Sequence, residues 1–197
     1  WHEELCQQIA ADGFYVIRYD NRDVGLSSVL ALTWPSVMWS AIRYRLGLKV
    51  RSPYLLKDMA ADAIGLLDHL GIAKSHFVGA SMGGMIAQEL AIGWPERTLS
   101  LTSIMSSTGS SEVGQAEPWA RKLFMAKRPE GREAVIDANM QHRKLLSGRY
   151  FDEDDVRSFV AASYDRSHRP EAALKHLTAV VASGDRTNGL KGLDVPT

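Results

Sequence analysis

Ser75-His76-Phe77-Val78-Gly79-Ala80-Ser81-Met82-Gly83-Gly84-Met85-Ile86 is the stretch on which the fold turns. Its first half, Ser75 to Ala80, is a short run with aromatic and β-branched residues and reads as a strand. Its second half opens a helical pattern from Met82 to Ile92, closed by Gly93 and Pro95. Between the two, Gly79-x-Ser81-x-Gly83 sets a serine on a tight strand-to-helix turn. Such a serine is held in a strained backbone conformation, so the residues two before and two after it must lack bulk. The turn lifts the hydroxyl above the sheet edge. It also leaves the Met82 N–H at a helix N-terminus, pointing where an oxyanion would form. A bare G-x-S-x-G is common, and the flanking strand and helix supply the context the chemistry requires. The competing reading is a glycine-rich turn with no chemistry.

Working outward, Leu56, Met59, Ala63, Leu66, Leu67 and Leu70 fall on one face of a helix over 53–70, stopped by Gly71. Thr98 to Met105 reads as a second strand. Upstream, Trp1, Leu5 and Ile9 predict a helix over 1–12 ending at Gly13, and Phe14 to Tyr19 has the composition of a strand. Helices and strands alternate, which predicts an α/β fold with a parallel sheet and crossover helices. After Gly109 the pattern is helical only, over 117–127, 130–146, 153–165 and 170–183. The expected organisation is an α/β core over 1–108, a helical insertion over 109–186, and a return to the core sheet over 187–197.

Composition narrows the partners. The 197 residues carry 23 Lys+Arg against 23 Asp+Glu and are 45% hydrophobic, enough for a buried core. The zero net charge gives no electrostatic case for nucleic acid or an anionic membrane as partner. The longest apolar run, Val29 to Trp39, is broken by Thr33, Pro35 and Ser36 and falls short of the ~20 residues of a spanning helix. One cysteine, Cys6, excludes an internal disulfide framework and a Cys-only metal cage, and favours a reducing, cytoplasmic compartment.

Gly79 to Gly84, the loop Asp20-Asn21-Arg22-Asp23-Val24-Gly25-Leu26-Ser27 and the helix end Leu67-Asp68-His69-Leu70-Gly71-Ile72 together resemble the α/β-hydrolase superfamily. Within it, the chain is most similar to esterases of the aclacinomycin methylesterase type, with enol-lactonases nearby. The resemblance implies a nucleophile at Ser81, an oxyanion donor in the Met82 amide, elbow glycines at Gly79 and Gly83, and a helical cap over 109–186 that covers the site. It implies a small-molecule ester or lactone substrate, with no cofactor and no metal. The Asp20 loop is structural in that family, so Asp20 and Asp23 are not expected to be catalytic. The family's triad runs Ser, then Asp or Glu, then His. Its acid follows the strand after the cap, and here the sequence reaches only Val195-Pro196-Thr197; after the 98–105 strand it reads Ser106-Ser107-Thr108. The family's oxyanion loop precedes the helix that here starts at Trp1. The expectation is therefore an internal piece of a longer protein, inactive alone because triad acid and base are not in this chain. Alternatives are a cofactor-free haloperoxidase-like or C–C hydrolase on the same elbow, or a non-catalytic binding module.

The remaining candidates read as structure. His76 lies five residues before Ser81, ~16 Å along an extended strand, too far to be its base. His2 and His69 fall on helices, and His142, His168 and His176 are expected on the cap surface. Asp152-Glu153-Asp154-Asp155 reads as an acidic helix start and not a metal site. The basic residues Arg121, Lys122, Lys127, Arg128, Arg132, Arg143, Lys144 and Arg149 read as solvated faces balanced by acids. Asp185 reads as a turn residue. Trp34, Met38, Trp39 and Tyr44, with Trp119, Phe124 and Met125, suit either an apolar pocket or core packing.

Overall fold

The structure is a computed structural model that describes residues 1–36, 39–40, 42–43, 46–114, 117, 119 and 129–197. Its contacts group into two compact units, Ala31–Ala116 with Glu171–Thr197, and Trp1–Leu30 with Glu117–Pro170. This division crosses the expected segments, because the helix over Ala172–Ser183 groups with the sheet and not with the helices before it.

The sheet-bearing unit is built around helix, strand, helix, strand. Helix α2 (Leu56–His69) buries Leu56, Met59, Ala60, Ala63, Ile64 and Leu67, a three-and-four spacing that forms one stripe. Its start is fixed by Asp58, whose carboxylate accepts the Leu55 N–H at 2.7 Å. Its end is fixed by Gly71 at φ +70, with the Ile72 N–H bonded back to the Leu67 carbonyl at 2.9 Å. Leu70, expected on the buried face, lies past the last turn and is 41% exposed. Strand β1 (Ser75–Ala80) pairs in parallel with β2 (Thr98–Ile104), from Phe77 opposite Leu101 to Ala80 opposite Ile104. Parallel strands need a crossover, and helix α3 (Met82–Gly93) with a 3-10 turn at Pro95–Arg97 supplies it. Helix α3 contacts α2 and both strands, and Ala87, Ala91 and Leu101 form a core lined by Phe77, Leu190, Leu193 and Val195. At its far edge β2 donates the Leu101 N–H to the Pro196 carbonyl at 2.9 Å.

The second unit contains α1 (Glu3–Ala11), α4 (Arg132–Ser147) and α5 (Glu153–Arg166). Ile136, Met140 and Val160 pack α4 on α5. The acidic run acts as a helix start: the Asp152 carboxylate accepts the Asp155 N–H at 3.0 Å. Among the described residues no group of His, Cys, Asp and Glu could hold a metal, and no helix is long and apolar enough to cross a membrane. Arg132 of α4 meets Asp165, and Arg157 of α5 meets Asp137 and Glu133. Arg143 and Lys144, expected to be balanced by acids, instead lie over the rings of Phe159 and Phe151. Arg121, Lys122, Lys127 and Arg128, and most of the helix expected over 117–127, lie outside the described residues.

Phe14 to Tyr19 departs from expectation. It forms no ladder, and Phe14, Tyr15 and Tyr19 are 54%, 79% and 43% exposed. A strand exists only within a ladder, and the sheet among the described residues pairs β1 with β2 and does not include this segment. The loop that follows is built. The Asp20 carboxylate accepts two bonds from the Arg166 guanidinium, at 3.1 and 2.6 Å, and one from the Leu26 N–H at 3.0 Å. A Cβ on Gly25 (φ +56) would overlap that carboxylate. Buried Asp23, at φ +69, accepts the Leu30 N–H at 3.0 Å. Both carboxylates thus bond backbone N–H groups of the loop and its exit, and Asp20 also ties the loop to Arg166.

The Arg166 bond, together with the Leu26 N–H and against the cost of burial, holds the Asp20 carboxyl below the usual carboxylate range. A depressed folded pKa contributes stability above the unfolded value, and that stability is lost as pH falls through the folded value. Asp20→Asn is therefore expected to lower the urea midpoint at pH 7. The gap from wild type should close below about pH 4. A gap that persists unchanged at pH 3 would contradict the ion-pair origin.

Candidate active site

At the turn between β1 and α3, Ser81 has φ 53 and ψ −121, one of three non-glycine residues with positive φ among those described. That conformation costs on the order of 1–3 kcal/mol and persists only where its surroundings over-determine it. Several contacts do so. The Ser81 N–H donates to the Ile104 carbonyl at 2.9 Å, extending the ladder by one residue. The Ser81 carbonyl accepts the Met85 N–H at 3.2 Å and the Ser106 hydroxyl at 2.9 Å. The Ser81 side chain caps no helix N–H, and the residue is exposed. Met82 opens a helix of 12 residues, so its N–H has no carbonyl to bond within the helix.

The glycines divide unevenly. A Cβ on Gly79 would overlap the Gly83 carbonyl and sit 2.6 Å from the Gly84 nitrogen. A Cβ on Gly84 would sit 2.8 Å from both the Ser103 hydroxyl and the Ser106 Cβ. Gly83 faces open space, with nothing within 4 Å of an added Cβ. The steric demand expected at Gly83 thus falls on Gly84, where the first turn of α3 presses on β2 and the loop after it. The doubled glycine in the sequence is the signal for it.

Ser81→Gly relieves the positive φ at no steric cost. It is expected to raise stability by about 1 kcal/mol in urea unfolding. A loss of stability would show that the conformation is not strained.

Four of the six histidines are engaged elsewhere. His76 Nδ1 lies 2.7 Å from the Ser100 hydroxyl on the neighbouring strand. His2 stacks on Phe159, and His168 on Tyr164. His176, expected on the surface, is 7% exposed and packs edge-on to Tyr54, because α6 (Ala172–Ser183) turns that face inward. Among the described residues no histidine or carboxylate hydrogen-bonds the Ser81 hydroxyl. Asp185 accepts the Thr187 N–H at 2.8 Å and starts the short helix α7 (Thr187–Lys191), as a turn residue does. The Thr187 hydroxyl and amide hold its carboxyl below the usual range.

Of the aromatic candidates, Trp34 packs edge-on to Tyr54 with ring centroids 5.1 Å apart. Trp39 and Trp119 are 62% and 50% exposed. Met38, Tyr44, Phe124 and Met125 lie outside the described residues. A cleft of about 510 Å³ in the other unit, lined by Trp1, Arg18, Tyr19, Asp20, Phe159 and Arg166 among others, does not include Ser81. Two residues near the turn were not singled out from sequence: Ser106, on the Ser81 carbonyl, and Arg186, buried behind it. Neither sits in a local pattern that a single sequence displays.

Comparison with known proteins bears on the family and the fold. The rhodomycin D methylesterase of Streptomyces peucetius is 37% identical over 178 residues, 80% of this chain and 54% of its own length. The 3-oxoadipate enol-lactonase 2 of Acinetobacter baylyi is 34% identical over 123 residues, 61% of this chain and 38% of its own. The chain thus spans about half the length, or less, of these curated relatives. Among solved structures, the enol-lactonase from Burkholderia xenovorans LB400 superposes with a TM-score of 0.56 at 23% identity, over 91% of this chain and 58% of that one. At that identity the likeness speaks to fold alone. The sequence description of the alpha/beta hydrolase fold matches residues 1–185, and the chain belongs to that family.

Proposed function

We propose that the polypeptide carrying this chain is a serine hydrolase of small carboxylic esters or lactones. The observation that supports this best is the backbone of Ser81, strained at φ 53 and exposed at the head of α3. In this reading the Ser81 Oγ attacks the substrate carbonyl carbon while a histidine takes its proton. The carbonyl electrons move onto oxygen, and the oxyanion lies against the Met82 N–H. Collapse expels the alcohol, which takes the proton back from the histidine, and leaves an acyl group on Ser81. Water then hydrolyses the acyl-enzyme by the same steps. The histidine and its orienting carboxylate are assigned to residues other than these 197. The methylesterase and enol-lactonase relatives support the substrate class. The reading implies a core over 1–108, a cap over 109–186 and a return over 187–197. The free thiol of Cys6 fits a reducing, cytoplasmic setting.

The test compares p-nitrophenyl acetate hydrolysis by the 197-residue chain with that of its Ser81→Ala variant. The two rates are expected to be indistinguishable, because a serine without its base loses most of the acceleration. Robust, Ser81-dependent turnover by the 197-residue chain would place the base within it. The whole polypeptide should turn over p-nitrophenyl acetate or a simple lactone, and failure on both would overturn the hydrolase reading.

A further inference from the structure

We propose that Ser106 and Arg186 are positioning residues that aim the Met82 amide; this rests on the reading of Ser81 as nucleophile and Met82 as oxyanion donor. The peptide between Ser81 and Met82 is a rigid plane, so its C=O and N–H point in opposite directions. Whatever fixes the Ser81 carbonyl therefore aims the Met82 N–H. The helix supplies one bond to that carbonyl, from Met85, and the Ser106 hydroxyl supplies a second at 2.9 Å from a different segment. Ser106 is pressed onto the first turn of α3, where its Cβ leaves no room for a side chain on Gly84.

Arg186 holds the segment that carries Ser106. Its side chain is 5% exposed. One terminal nitrogen donates to the Ser107 carbonyl at 3.1 Å, the other to the Gly184 carbonyl at 3.2 Å, and Nε donates to the Gln88 amide oxygen on α3 at 3.0 Å. The Arg186 N–H donates to the Thr108 carbonyl at 2.8 Å. Gln88, itself 5% exposed, passes the connection to Ser103 on β2 at 3.1 Å. The Glu89 carboxylate stands 3.8 Å from the guanidinium. A planar fork can bind three segments at fixed angles, which neither an apolar residue nor a lysine of similar volume reproduces. A buried charge is also a poor stabiliser compared with apolar packing, so its use here points to geometry. The backbone from Ser106 to Gly109 is thus clamped between α3 and Gly184, with no room for a side chain on Gly109.

The test measures p-nitrophenyl acetate kinetics on the whole polypeptide with Ser106→Ala, Arg186→Lys, the double variant and Ser81→Ala. Ser106→Ala is expected to lower kcat roughly 10- to 30-fold with KM within about twofold, less than loss of an oxyanion donor outright. Arg186→Lys should lower kcat in the same way, and the double variant should be no worse than the weaker single, because both act on one peptide. A merely structural role would not produce that non-additivity with KM preserved. Ser106→Ala with wild-type kcat, or a double variant whose losses multiply, overturns the inference; should Arg186→Lys fail to fold, Ser106→Ala decides alone. Ser81→Ala separates the two levels: if it abolishes turnover while Ser106→Ala keeps the wild-type kcat, only this inference fails. If Ser81→Ala is as active as wild type, or wild type has no turnover, the reading beneath it fails as well.

Discussion

Ser81→Ala in the whole polypeptide is expected to lower kcat/KM for p-nitrophenyl acetate by roughly 10⁴-fold or more, with little change in the urea midpoint. The size follows from how triad members act. They form one unit, so loss of the nucleophile removes the covalent route and leaves only binding and oxyanion stabilisation. The stability expectation follows from the site itself: the exposed Ser81 side chain caps no helix N–H, so its removal leaves no buried group without a partner. A loss of activity accompanied by unfolding would instead mark Ser81 as structural. A loss below tenfold would show that another residue carries the chemistry.

Gly79→Ala is expected to destabilise the chain by about 3 kcal/mol, while Gly83→Ala is close to neutral or slightly stabilising. At Gly79 an added methyl meets the Gly83 carbonyl and the Gly84 nitrogen, which are backbone and cannot swing aside. Strand β1 and the head of α3 would have to part, and the contacts that hold Ser81 would be lost with them. Gly83 lies inside α3 facing open space, where alanine is the better helix former. Urea unfolding of both variants measures the contrast. Equal effects would mean that the close approach at Gly79 does not hold the turn together.

What the sequence made legible is what local rules decide. Ser75–Ala80 is a strand with the expected bounds, and the helices beginning at Leu56, Met82 and Glu153 follow from stripe, cap and stop signals that lie within a turn or two of each other. The serine turn was readable because strand, glycine and helix stand next to each other in the chain. Phe14–Tyr19 has equally good strand composition yet no ladder, because pairing depends on a neighbour that composition does not reveal. The same limit hid Ser106 and Arg186. They lie 25 and 105 positions beyond Ser81, and only the fold brings a hydroxyl to its carbonyl and a guanidinium behind that hydroxyl. His176 was misplaced for a related reason, since its burial is set by Tyr54, far away in sequence.

Covalent trapping tests Ser81 as the nucleophile. The whole polypeptide would be treated with a fluorophosphonate, digested, and the adduct located by mass spectrometry. A single phosphonylated site is expected at Ser81, absent from Ser81→Ala, with hydrolytic activity lost in proportion to labelling. An adduct on a different residue that tracks the loss of activity, or full activity in protein whose Ser81 is completely labelled, would contradict that role.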